Sequence, residues 1–90
     1  TRRSLYRNLR VTIPEDLDYT DLLGDIFKNY CRTSHLVSVK TSNMGSLFKL
    51  TYDIELKDPA REKEMLDAIR VRNGNLEITV SQQEVTNEQL

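Results

Sequence analysis

Between Phe48 and Lys57 the chain alternates without a break, with Phe48, Leu50, Tyr52, Ile54 and Leu56 apolar and Lys49, Thr51, Asp53, Glu55 and Lys57 polar. A two-residue period sends successive side chains to opposite faces of a strand, so this stretch predicts a strand with one buried and one wet face. Leu9, Val11 and Ile13 alternate with Arg10 and Thr12 and predict a first strand over about Leu5 to Ile13. Pro14 ends it, because proline cannot donate to a ladder. His35 to Thr41 reads as a further strand whose apolar residues, Leu36, Val37 and Val39, alternate less regularly, as at a sheet edge. Leu76, Ile78 and Val80, set against Glu77, Thr79 and Ser81, predict the last strand.

Two segments carry the helical period. Leu22, Leu23, Ile26, Phe27 and Tyr30 form one apolar stripe and predict a helix over about Tyr19 to Cys31, interrupted by Gly24. Asp18 is placed to cap it, and Asp21 favours the same end of the helix dipole. Asp58-Pro59 opens the second helix, with an N-cap carboxylate followed by a proline where a missing N–H costs nothing. Met65, Leu66 and Ile69 point inward, Arg70 and Arg72 fall in the last turn, and Gly74 closes the helix. The order is βαββαβ. With right-handed crossovers it interleaves into an α+β, ferredoxin-like fold: a four-stranded antiparallel sheet with both helices on one face and the first and third strands central. One such domain accounts for the chain, with a core over about 5–81 and a polar tail over 82–90.

Composition narrows the function classes. Thirteen Lys and Arg against fourteen Asp and Glu leave a net charge of −1, which argues against a general nucleic-acid binder. A single cysteine, Cys31, excludes an internal disulfide. No apolar run is long enough to span a membrane. Cys31 and His35, the one histidine, lie close in sequence, but they are too few for a zinc site and suit a helix-end Cys and a half-exposed His better than a catalytic pair. No cofactor motif is present, and no enzyme activity is expected. The loop after the first strand, Pro14 to Asp18, is acidic and would repel a phosphate. Phe48 and Tyr52 share the apolar face of their strand, so they are predicted to be buried rather than stacked on bases.

Two polar clusters remain. Arg70, Arg72, Asn73, Gly74 and Asn75 suit an anion or a partner carboxylate, and suit a helix C-cap with dipole-favouring arginines better. Asn43, Met44 and Gly45 have the composition of a tight turn, with an apolar Met44 at the tip that suits a partner contact. The outer face of the sheet is expected to carry Arg10, Thr12, Lys49, Thr51, Asp53, Glu55, Glu77 and Thr79, a mixed-charge surface open to solvent or to a second copy.

Three stretches together have a more particular look. LRVTIPEDLDYTDLLGDIF, VKTSNMGSLFKLTYDI and LDAIRVRNGNLEI resemble the C-terminal soluble domain of an uncharacterised prokaryotic family of integral-membrane proteins, over about residues 5–80. The layout is similar to that of MgtC-type proteins, in which a membrane half precedes an ACT-like domain. The resemblance implies a domain excised from a longer protein, on the cytoplasmic side of the membrane, with Arg2 and Arg3 near the bilayer. ACT-like domains are regulatory and often dimeric, and the amino-acid binders among them carry a glycine in the first strand–helix loop, which is lacking from Glu15 to Tyr19. The expected function is therefore a non-catalytic regulatory or assembly domain, a homo-oligomer working with its own membrane half. The alternative is a phosphate or polyphosphate sensor built on Arg70 to Asn75, a ligand class that also suits the polyphosphate-polymerase-like proteins encoded near members of the resembled family.

Overall fold

The computed structural model describes residues 5–82. Four strands form one antiparallel sheet: β1 (Tyr6–Pro14), β2 (Cys31–Ser42), β3 (Leu47–Leu56) and β4 (Ile78–Gln82). The order across the sheet is β2-β3-β1-β4, so the first and third strands are central. Helix α1 (Gly24–Tyr30) connects β1 to β2, and α2 (Glu62–Arg72) connects β3 to β4. The α+β, ferredoxin-like layout expected from the periodicities is the one observed.

The core follows from the two periods. Leu9, Val11 and Ile13 of β1 and Leu50, Tyr52, Ile54 and Leu56 of β3 are buried with Ile26 and Phe27 of α1 and Met65 and Ile69 of α2. Both helices thus cover the same face. Phe27 meets Tyr52 edge-on at 4.8 Å between ring centres, and Tyr19 meets Phe48 at 5.6 Å. Burial of Tyr52 raises its phenol pKa, and its ring belongs to the core as the alternation predicts.

Local departures have local causes. The first helical segment is in two pieces. A 3₁₀ turn over Tyr19–Asp21 is capped by the Asp18 carboxylate, which accepts the Thr20 N–H at 3.0 Å, and α1 proper begins only at Gly24. Between them Leu23 has φ −115° and ψ 9°, outside the helical region. A Cβ on Gly24 would lie 2.8 Å from the Asp21 carboxylate, so the glycine lets the two pieces meet closely. Asp58 repeats the cap, accepting from Ala60 N–H at 3.0 Å ahead of a 3₁₀ turn over Pro59–Arg61.

Strand β2 starts at Cys31, directly after α1, where a connection over Arg32 to Ser34 was expected. The strand carries two register shifts, at Cys31/Thr33 and at Leu36/Ser38, so Arg32 and Val37 are extra residues. These bulges explain the irregular alternation of Leu36, Val37 and Val39. At the other edge, β4 includes Gln82, opposite Arg7, where the polar tail was expected to begin; the rest of that tail, 83–90, lies outside the described residues.

Candidate functional site

The turn after α2 was the first candidate, and its side chains are engaged within the fold. Asn73 is fully buried. Its amide donates to Thr12 O at 2.9 Å and to Leu76 O at 3.1 Å, while its oxygen accepts the Asn75 N–H at 3.1 Å. Gly74 (φ 72°) and Asn75 (φ 67°) are left-handed, the backbone that reverses the chain here. Arg70 donates from Nε to the Asn75 side-chain oxygen at 3.0 Å and lies 3.7 Å from Asp67. Arg72 forms a two-point pair with Asp25 of α1 and also donates to Leu22 O at 2.8 Å. The five residues are thus brought together, as a clamp between α2, the start of α1 and the end of β1.

The Asp25–Arg72 pair leaves an electrostatic trace. The hydrogen bonds from Arg72 hold the Asp25 carboxyl at about 2, well below its ordinary value of 3.8. A depressed folded-state pKa contributes stability above the unfolded value that is lost as pH falls through the folded one. Stability is therefore expected to drop between about pH 4 and pH 2. Glu64, lowered by Arg61 and by the Tyr30 hydroxyl, adds to the drop in the same direction. Urea midpoints measured across this range should show a shallower decline in Asp25→Asn than in the wild type.

At the second candidate, Asn43 (φ 54°), Met44 (φ 59°) and Gly45 (φ 89°) are consecutive left-handed residues. The Asn43 amide donates to the Ser46 hydroxyl at 3.0 Å, and that hydroxyl donates back to Asn43 O at 2.9 Å. Met44 projects wholly into solvent at the tip. Cys31 and His35 are on opposite faces of the sheet: Cys31 pairs with Leu56 on the core side, and His35 pairs with Asp53 on the outer side. Burial pushes the Cys31 thiol up to about 11, which suits an inert core group beside the Met65 sulfur at 3.8 Å. Among the described residues, no group of three or more His, Cys, Asp or Glu is placed to hold a metal ion.

The outer face of the sheet is uncovered by either helix. Its charges are sorted along the strands. Toward the start of β1, Asn8 donates to Asp53 at 3.2 Å, and Glu55 pairs across from Tyr6. Toward the end of β1 lies a depression of about 440 Å³ whose charged walls are Arg10, Lys40, Lys49 and Glu77. Thr12 is on this face but only 8 % exposed, flanked by Lys49 and by the segment at Glu77 whose carbonyl accepts the Thr12 N–H. The sequence pattern assigns Arg10, Lys49 and Glu77 to this face and misses Lys40. Lys40 reaches it because the bulge at Val37 changes which β2 residues point outward, an effect that strict alternation hides.

No protein-family model and no curated protein matches the sequence. Among solved structures, the chain is similar to the crystal structure of protein MK0293 from Methanopyrus kandleri AV19, with a TM-score of 0.60 at 15 % identity over 89 % of this chain. At that identity the likeness speaks for the fold alone. The chain spans about half of that protein, 48 % of its length. No helix among the described residues is long and apolar enough to cross a membrane.

Proposed function

We propose that the chain is a non-catalytic regulatory or assembly domain that pairs with a second copy through the β2 edge, on the cytoplasmic side of a membrane protein. The observation that carries the pairing is the edge itself. β2 runs for twelve residues and is hydrogen-bonded on one side only, to β3. Leu36 and Val37, midway along it, are 43 % and 55 % exposed. An unpaired strand edge offers a row of backbone donors and acceptors to another strand. Antiparallel pairing about a two-fold axis near Val37 would extend the sheet and cover both apolar side chains. The membrane context rests on the family resemblance of the three sequence stretches, and membrane helices encoded ahead of residue 1 in the full gene are its direct test.

Light scattering at micromolar concentration tests the pairing. A dimer that Val37→Glu returns to a monomer is the expected result. A wild-type chain that stays monomeric with its upstream segment attached overturns it. The alternative of an anion sensor at Arg70 to Asn75 has less support, since a ligand there must draw Arg72 away from Asp25.

A further inference from the structure

Six cations in this fold have partners among the described residues. Arg7 pairs with Glu62, Arg61 with Glu64, Lys63 and Arg70 with Asp67, and Arg72 with Asp25. Lys57 donates to the carbonyl of Lys28 at the end of α1. Lys28, Arg32 and, gathered in one place, the three cations Arg10, Lys40 and Lys49 differ: among the described residues, no hydrogen bond or ion pair engages their side chains. Arg10, Lys40 and Lys49 all border one depression on the outer sheet face.

Their arrangement is costly without a ligand. Lys40 and Lys49 are direct cross-strand partners on adjacent strands. Like charges placed directly opposite destabilise a sheet. Arg10 stands across from Thr51, the next outward residue after Lys49 on β3, and so completes a triangle of positive charge. Ser38, Thr51 and Thr79 add hydroxyl donors to the same depression. Glu77 borders it on the β4 side and offsets one of the three charges.

We propose that this depression is a binding site for a phosphate-class oxyanion carrying two or more negative charges. The site rests on a different observation from the β2-edge pairing, although Ser38 and Lys40 place one wall of it on β2, and it lies on a different face from the Arg70 to Asn75 turn. A carboxylate has two acceptor oxygens, whereas a phosphoryl chain presents several along its length and can reach both lysines, the guanidinium and the hydroxyls together. The depression is open and has room for a pyrophosphate or tripolyphosphate moiety, or for a phosphorylated small molecule. A free phosphate compound and a phospholipid headgroup share this chemistry.

The experiment has two arms with the same variants. In the first, tripolyphosphate is titrated into the chain by calorimetry, and thermal melts are recorded with and without it. The wild type should bind and its melting temperature should rise by several degrees. Lys40→Gln/Lys49→Gln should melt higher than the wild type without ligand, because the repulsion is gone, and should bind at least about tenfold more weakly. In the second arm, the chain is sedimented with vesicles of phosphatidylcholine and phosphatidic acid. Co-sedimentation lost in the double variant, with no response to tripolyphosphate, assigns the anion to a lipid headgroup. Lys28→Gln and Arg72→Ala should leave either response intact. Absence of binding in both arms at millimolar ligand overturns the proposal. So does binding that survives Lys40→Gln/Lys49→Gln, or that is lost in Arg72→Ala, which would move the site to the turn after α2.

Discussion

Asn73→Ala is expected to lower the stability of the chain by about 3 kcal/mol, read as a lower urea midpoint with an unchanged slope. The side chain is small and polar, yet it is completely buried. Its three hydrogen bonds tie three separate pieces of backbone: Thr12 at the end of β1, Leu76 ahead of β4, and Asn75 in the turn itself. Alanine leaves two carbonyls and one N–H short of a partner. Each buried unsatisfied group costs about 1–3 kcal/mol, and water entering the space left by the amide offsets part of the sum. Against a total stability of about 5–10 kcal/mol for a domain of this size, the change is large. It is also directional. The clamp holds β4 beside β1, where Thr12 N–H bonds Glu77 O and Val11 pairs with Ile78, so hydrogen exchange should rise first in β4. Asn73→Asp, nearly the same shape, should fare no better at neutral pH, because it sets an acceptor against two carbonyl oxygens. A loss below about 1 kcal/mol for Asn73→Ala would mean that the turn holds its shape without the amide.

Asn73 also marks where sequence reasoning reaches its limit. Element order, the two N-caps and the central places of β1 and β3 follow from local rules: a two-residue period, an Asp before a helical turn, a proline after a strand. Those rules read single residues against near neighbours, and the residues obey them. The role of Asn73 depends on Thr12, far away in sequence, so no local pattern distinguishes it from a ligand-binding asparagine. Arg72 is similar, since its partner Asp25 sits on the other helix. The early start of β2 is hidden for a different reason. Arg32, Thr33, Ser34 and His35 are exposed on an edge strand, and without a buried face there is no alternation to detect. The Lys40–Lys49 opposition needs the register of two strands and a bulge between them, which only the assembled sheet supplies.

Ile54→Ala and Leu36→Ser should separate what holds the fold from what the fold presents. Both side chains belong to the core-facing side of the sheet, on neighbouring strands: Ile54 opposite Ser34, and Leu36 opposite Tyr52. Ile54 has no exposed surface, toward the end of the central strand β3, inside the cluster that the two helices close. Truncation there removes buried methyl groups and leaves a cavity that rigid strands on both sides cannot fill, at a cost of about 3–4 kcal/mol. Leu36 is 43 % exposed on the same side because it lies on the edge strand, outside Tyr52, the residue that Phe27 of α1 covers. Leu36→Ser should therefore cost no more than about 1 kcal/mol in the monomer. Its effect should instead appear in association: a chain that melts nearly as the wild type does at low concentration, but loses the rise in melting temperature that a dimer shows as concentration increases. A protein that needed Leu36 for its own core would lose stability at every concentration alike. The concentration dependence of melting in Leu36→Ser thus decides whether the exposed middle of β2 belongs to the fold or to a second copy.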